Sequence, residues 1–241
     1  MTATSLELRS TKSPASREWT AGRARAFTHT RGRARRALNV AVAIAAIPFA
    51  LPFMLVIALL IKLTSRGPAL YTQTRIGIDR RRPGRGHGNT RRHVDYGGKP
   101  FTIIKFRTMY LGGTREAQTW ARPGDSRITP LGRFLRSYRL DELPQLFNVI
   151  RGDMNIVGPR PEQPTIFLRL RDNIEGYRDR QRVLPGITGW AQVNQSYDRS
   201  MDDVRRKLHF DLEYLQRQSA LEDLRIMLAT LPVMTRGRLG W

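Results

Sequence analysis

Residues 37–61 read ALNVAVAIAAIPFALPFMLVIALLI, an apolar run that sets the class of the whole chain. As one helix it would extend about 37 Å, enough to cross the hydrocarbon of a bilayer. Two features argue against a simple crossing. Pro48 and Pro52 lie near its middle, where each removes a backbone donor and bends a helix. Both flanks are cationic, with Arg31, Arg33, Arg35 and Arg36 before the run and Lys62 and Arg66 after it. Because cationic flanks favour the cytoplasmic side, a break at Pro52 suits a re-entrant helix that enters one leaflet and returns. An ordinary kinked span stays open on the same residues, since prolines are tolerated in membrane helices. The run is too long for the apolar part of a typical signal peptide, and Arg35-Arg36 lacks the rest of a twin-arginine signal.

Outward from this run the chain is strongly basic. It carries 42 Lys and Arg against 20 Asp and Glu, a net charge of +22, which draws it to phosphates of nucleic acid, nucleotide or anionic lipid. Its 241 residues, 40% of them hydrophobic, suit one catalytic domain with extensions. There is no cysteine, which excludes disulfides and thiolate metal sites. His29, His87, His93 and His209 have no ligand spacing, so oxygen-ligated Mg2+ is the metal this composition suits. Residues 1–30 form a basic arm without apolar periodicity, 31–66 the membrane helix with its flanks, and 67–241 the catalytic domain. Within that domain Gly67 to Ile76 and Lys99 to Met109 form a small strand pair, joined by a loop rich in Arg and Gly from Arg80 to Gly98. Val204, Leu208, Leu212 and Leu215 fall on one face of a core helix, and the apolar segment Leu221 to Met234 suits a membrane interface. The fold class expected is α+β, mostly helical, with one re-entrant helix and interfacial amphipathic helices.

The chemistry concentrates in RLDELPQLFNVIRGDMNIVGPRPE, residues 139–162. Asp141 and Glu142 stand at the start of a short helix that Pro144 permits and Gly152 ends. Free N–H groups there and the helix dipole favour an ionised Asp141, which is what a carboxylate nucleophile or magnesium ligand requires. A simple helix cap is the competing reading of the same pair. Upstream, Thr129-Pro130 caps a helix whose apolar stripe is Leu131, Phe134, Leu135 and Tyr138, with Arg133 and Arg136 off the stripe. Downstream, Pro159 and Pro161 stiffen the backbone on both sides of Arg160. Carboxylates flanked by fixed arginines point to a polyphosphate substrate attacked by an acid side chain, with structural salt bridges as the alternative.

Taken in order, Pro52 and Lys62, TQTRIG at 72–77, KPFTIIKFRTM at 99–109, LGRFLRSYRLDELPQLFNVIRGDMNIVGPRPE at 131–162 and PGITGWAQVN at 185–194 resemble the bacterial sugar transferase family. These are the monotopic polyprenyl-phosphate phosphoglycosyl transferases, and the resemblance runs from about Arg35 to Leu231. It implies transfer of a sugar phosphate from a nucleotide diphosphate sugar, with UDP the expected nucleotide, to undecaprenyl phosphate. The implied setting is the cytoplasmic face of the bacterial inner membrane, with Mg2+, at the first membrane step of exopolysaccharide, O-antigen or other glycan assembly. Carried onto this chain, the resemblance makes Asp141 the covalent nucleophile and a metal ligand, and Glu142 its dyad partner. Arg136 and Arg160 become phosphate and nucleotide contacts, Lys105 a motif lysine, Pro52 the helix break, and Pro185 to Asn194 a loop that closes the site. The anionic bilayer is the implied further partner, with a homodimer left open.

The chain departs from the family pattern in three places. Ile78 to Gly98 is inserted between motifs, Asn39 stands where many relatives are acidic, and Asn194-Gln195-Ser196-Tyr197 replaces a glycine-containing segment. The absence of several preceding spans points to the short, single-domain form. Two non-enzymatic classes account for part of the sequence. A nucleic-acid-binding protein would use the charge, but there is no zinc spacing, helix-turn-helix signature or Walker A loop. A membrane-anchored scaffold would use the apolar run and leave the dyad without a role.

Overall fold

The computed structural model describes residues 29–80, 95–111, 125–195 and 200–235. The basic arm before residue 29 and the centre of the Arg/Gly-rich insert lie outside them. Helix α1 spans His29–Thr64, and Pro48 and Pro52 fall within its 36 residues. Among the described residues it is the one helix long and apolar enough to cross a membrane, yet only 17% of its most apolar window is buried. A core helix of a soluble protein would be mostly covered, so most of this surface is left for lipid.

What is buried on α1 forms a single seam. Arg35, Asn39, Ala43, Met54, Ile57 and Ile61 are enclosed, with Ala46, Ile47 and Ala50 partly buried between them. These positions recur at steps of three or four residues and so keep to one helical face. Ala43 packs on Phe101, Ile103, Leu146, Val149 and Met154. Met54, Ile57 and Ile61 pack on Phe106 and Leu135, with Leu140 and Leu143 at the margin. Both halves of the helix therefore rest on one globular unit.

Strands β1 (Leu70–Ile76) and β2 (Pro100–Phe106) pair antiparallel, with Tyr71 opposite Lys105, Gln73 opposite Ile103 and Arg75 opposite Phe101. Hydrogen bonds from Gly77 N to Lys99 O and from Lys99 N to Ile78 O continue the ribbon into the feet of the insert. Helices α2 (Pro130–Ser137) and α3 (Gln145–Arg151) flank a 3₁₀ turn at Leu140–Glu142. Gly152 ends α3 at φ 94°, a left-handed conformation that glycine adopts without a Cβ penalty. Two further strands, β3 (Asn155–Val157) and β4 (Gly186–Thr188), pair in parallel. This second sheet adds to the strand pair expected, because three-residue strands carry too little alternation to be seen in a sequence.

Helix α4 (Pro164–Asn173), a 3₁₀ turn at Tyr177–Arg182, α5 (Trp190–Asn194), α6 (Met201–Arg217) and α7 (Ala220–Thr235) complete the domain. The expected face of α6 is confirmed: Val204, Leu208, Leu212 and Leu215 join Phe167, Leu170, Tyr177 and Ile226 in the main core. Ser200 starts α6 with a reciprocal capping box to Asp203. On α7, Asp223 and Ile226 are buried while Leu221, Leu224, Leu228 and Leu231 form an exposed stripe. The stripe Leu131, Phe134, Leu135, Tyr138 divides in a similar way. Leu135 is core, whereas Phe134 and Tyr138 are exposed and stack on each other at 5.0 Å between ring centres.

A buried polar knot ties α1 to this framework. Asn39 donates to Arg35 O and to Asp223 Oδ2, and its Oδ1 accepts from Ile156 N and Val157 N. Asp223 also receives Arg35 Nε at 3.0 Å and Tyr214 OH at 2.6 Å. Asn39 thus uses both ends of its amide to join α1, β3 and α7. An aspartate there would set a second carboxylate against Asp223.

Candidate active site

The site is assembled by short-range devices. Thr129 caps α2, its hydroxyl accepting from Gly132 N at 2.8 Å. A Cβ at position 132 would lie 2.1 Å from Thr108 O, so glycine lets α2 close onto the end of β2. That approach lets Arg136 Nε donate to Thr108 Oγ1 at 2.8 Å. Arg139 follows at φ 58°, the one positive φ of a non-glycine residue among those described. This left-handed residue costs on the order of 1 kcal/mol and turns the chain into the 3₁₀ turn that carries the dyad. Leu140 and Leu143, on either side of the dyad, sit at the margin of the cluster formed by Met54, Ile57, Ile61, Phe106 and Leu135.

Asp141 and Glu142 are both buried, but they are held differently. Glu142 Oε1 receives Lys105 Nζ at 3.0 Å, Arg160 Nη2 at 2.6 Å and Arg139 Nη1 at 3.4 Å, and Oε2 receives Arg160 Nη1 at 3.3 Å. Burial by itself would raise its pKa, yet Arg160, Lys105 and Arg139 hold this carboxyl well below the usual range. Asp141 makes no hydrogen bond or ion pair among the described residues. Burial, reinforced by the negative charge of Glu142, pushes its pKa up against the pull of Lys105 and Arg136. The helix start is thus opposed by burial, and the cations in direct contact converge on the neighbouring Glu142. Lys105 is itself brought down to about 8, by burial that Glu142 only partly offsets.

Arg160 is anchored through backbone as well as through its prolines. Arg180 Nη2 donates to Arg160 O at 3.0 Å, and Arg75 Nη1 donates to Pro161 O at 3.1 Å. Behind the loop, Glu162 accepts from Lys207 Nζ at 3.0 Å and Arg180 Nη1 at 3.3 Å, while Arg180 Nη2 lies 2.7 Å from Asp211 Oδ2. Asn148, fully buried on α3, spans β2 by accepting from Ile104 N and donating to Thr102 O.

Of the residues expected from sequence, Asp141, Glu142, Lys105 and Arg160 come together, and Arg136 joins them by its charge on Asp141 and its bond to Thr108. Pro52 sits apart on α1 with its ring exposed, beside exposed Leu51 and Phe53. The segment Pro185 to Asn194 is not a loop but β4 and α5, with β4 seated on β3 directly before the Gly-Pro-Arg-Pro turn. Sequence reading missed Arg139, Arg75, Asn148 and Thr108. For Arg75 the signal was available in the register, since alternation places Tyr71, Gln73 and Arg75 on the face of Lys105. For Arg139 no pattern announces a left-handed arginine.

A magnesium ion suits this donor set in one way only. No group of three or more His, Asp or Glu able to hold a metal occurs among the described residues, and Glu142 is already saturated by cations. The free Asp141 carboxylate is a hard oxygen donor for an ion shared with substrate phosphates.

Comparison with known proteins places the chain. A family model described as bacterial sugar transferase matches residues 30–237, and the chain belongs to that family. It is 37% identical over 203 residues to the UDP-N-acetylgalactosamine-undecaprenyl-phosphate N-acetylgalactosaminephosphotransferase of Aeromonas hydrophila, covering 84% of this chain and 44% of that one. It is 37% identical over 199 residues to the UDP-glucose:undecaprenyl-phosphate glucose-1-phosphate transferase of Escherichia coli strain K12, covering 82% and 39%. A putative undecaprenyl-phosphate N-acetylgalactosaminyl 1-phosphate transferase of Bacillus subtilis strain 168 is 36% identical over 170 residues, 68% of this chain and 85% of that one. The chain spans less than half the length of the first two relatives.

Proposed function

We propose that this protein transfers a sugar 1-phosphate from a UDP-sugar to undecaprenyl phosphate, releasing UMP, and so begins assembly of a membrane-borne glycan. The observation that carries this reading is the division of labour in the dyad. Asp141 is uncommitted among the described residues, Glu142 is fixed under three cations, and the leucines that flank them join the apolar cluster in which Met54, Ile57 and Ile61 of α1 take part.

In the first step an Asp141 carboxylate oxygen attacks the sugar-bearing phosphorus. The bond from that phosphorus to the bridging oxygen breaks, its electron pair leaves with UMP, and an aspartyl-phosphosugar remains. In the second step a phosphate oxygen of undecaprenyl phosphate attacks the same phosphorus and frees Asp141, giving undecaprenyl diphosphate sugar. Glu142 holds Lys105, Arg139 and Arg160 in place, so that charge developing on the phosphoryl oxygens meets fixed donors. Lys105 and Arg136 favour the ionised, attacking form of Asp141. Asp141 would hold a Mg2+, which would supply charge neutralisation at the donor's phosphates.

The helix seam supports a re-entrant reading of α1. A straight span would place its ends on opposite sides of the bilayer, yet Arg35 and Asn39 near one end and Ile61 near the other are buried against the same domain. The exposed residues Phe49, Phe53, Leu55 and Leu59 of α1, and the leucine stripe of α7, then face lipid on the cytoplasmic side of the inner membrane.

The deciding experiment incubates the protein in detergent with single UDP-sugars, follows UMP release, and seeks sugar label on a peptide containing Asp141 under rapid quench. Label without acceptor and ping-pong kinetics are expected. UMP release with no adduct and sequential kinetics would replace the covalent route with direct displacement. For topology, cysteines placed singly at Ser5 and Ser126 should be equally shielded from an impermeant thiol reagent in spheroplasts; labelling at position 5 alone would establish a span.

A further inference from the structure

Among the described residues Arg75 makes no salt bridge. Its Nε is buried and has no hydrogen-bond partner, and its two terminal nitrogens reach only neutral oxygens, Pro161 O at 3.1 Å and Gln73 Oε1 at 2.8 Å. The carboxylates near it are already engaged. Glu162 is held by Lys207 and Arg180, and Glu142 by Lys105, Arg139 and Arg160. A buried guanidinium donor left unpaired costs free energy unless a ligand completes it. In the surrounding cluster Arg75, Lys105, Arg136, Arg139 and Arg160 outnumber Asp141, Glu142 and Glu162, so the missing partner is an anion.

The neighbours of Arg75 say which part of the donor that anion is. Arg75 Nη1 bonds Pro161 O, the residue directly after Arg160, whereas Lys105 reaches the dyad itself. Arg75 therefore belongs to the Arg160 side of the site, set back along β1 from the dyad. The β1–β2 register supports this placement, because Arg75 is opposite Phe101 while Lys105, which reaches the dyad, is opposite Tyr71. Gln73, between them on the same face, orients the guanidinium through Oε1.

We propose that Arg75 binds the phosphate of the departing nucleoside monophosphate, a subsite that acts in the first displacement and not in the second. This rests on the two-step reading above. As the bond from the attacked phosphorus to the bridging oxygen breaks, its electron pair stays on that oxygen, which leaves with the nucleoside monophosphate, and Arg75 donates to that growing charge. The acceptor step brings in no nucleotide, so Arg75 is idle there.

The test compares native protein with Arg75→Gln and Arg75→Lys. UDP serves as the probe in calorimetry, which needs no turnover, and the two half-reactions are timed separately. Arg75→Gln should weaken UDP binding and slow adduct formation by about ten- to a hundredfold. Discharge of a pre-formed adduct to undecaprenyl phosphate should stay within about twofold of native, and Arg75→Lys should recover part of the loss. Unchanged UDP affinity, or equal slowing of both half-reactions with a lowered Tm, would make Arg75 a structural cation. If native protein releases no UMP from any UDP-sugar, the two-step reading fails, whereas the UDP affinities still judge Arg75.

Discussion

Two clusters of buried charge lie on either side of the Gly-Pro-Arg-Pro turn, and they are built to opposite specifications. Behind the turn, Glu162 and Asp211 face Arg180 and Lys207, two acids for two bases, with each acid in direct contact with a cation. In front of it, Glu142 alone takes Lys105, Arg139 and Arg160, while Asp141 beside it takes none. The balanced cluster is complete without a ligand and serves to hold Arg160's backbone. The unbalanced one carries surplus positive charge next to an uncommitted carboxylate, which suits a phosphate substrate. Buried charge marks function where it is unevenly matched, and architecture where it is paired.

The largest test of this contrast removes the uncommitted acid. Asp141→Asn keeps volume and leaves the Glu142 pairs intact, so Tm should hold while UMP release falls by on the order of 10⁴-fold or more. A large drop in Tm would instead assign Asp141 to the framework. The second acts on the balanced side: Asp211→Ala leaves Arg180 short of a partner and should cost about 3 to 5 kcal/mol of stability, read by denaturant unfolding in detergent.

Smaller effects belong to the phosphate contacts. Arg160→Ala and Arg136→Ala should each cost about 2 to 4 kcal/mol of transition-state stabilisation, roughly 30- to 1000-fold in kcat/KM, with lysine a partial rescue. Near-native rates in folded variants would make both residues structural. The mildest test is pH. Lys105 loses its proton near pH 8 in the folded protein, below its unfolded value of 10.5, so between these values the unfolded chain binds more protons. This lysine's contribution to stability should therefore rise with pH across that window. Turnover that needs its positive charge should fall above about pH 8, opposite in direction to stability. Lys105→Arg should move that limb to higher pH, and an unmoved limb would assign it to another group.

Much of the site was legible from residues 139–162. The proline after the dyad, the glycine that ends α3 and the prolines around Arg160 are local constraints, and local constraints act the same way in any tertiary setting. Lys105 was visible as a motif residue, though not as the partner of Glu142. Arg75 needed the β1–β2 register, which depends on how two segments separated by the insert pair. Helix-end electrostatics favours an ionised Asp141, while burial and the charge of the adjacent Glu142 push its pKa up, and the burial arises from packing between segments distant in sequence.

The amino-acid sequence by itself determined the apolar helix with its basic flanks, the strand pair, the capped helices and the placement of two carboxylates among arginines. These follow from covalent geometry and from periodicity within a few residues. Tertiary structure alone decided which face of α1 meets protein. A helix apolar all round carries no hydropathy signal separating lipid from core, so the seam through Asn39, Ala43 and Ile61 exists only where β2, α2 and α3 supply matching surfaces. It alone decided, too, that three cations meet on Glu142 and none on Asp141. Charges interact through space as the inverse of their separation, and the separations between residues 105, 142 and 160 are set by packing rather than by order along the chain.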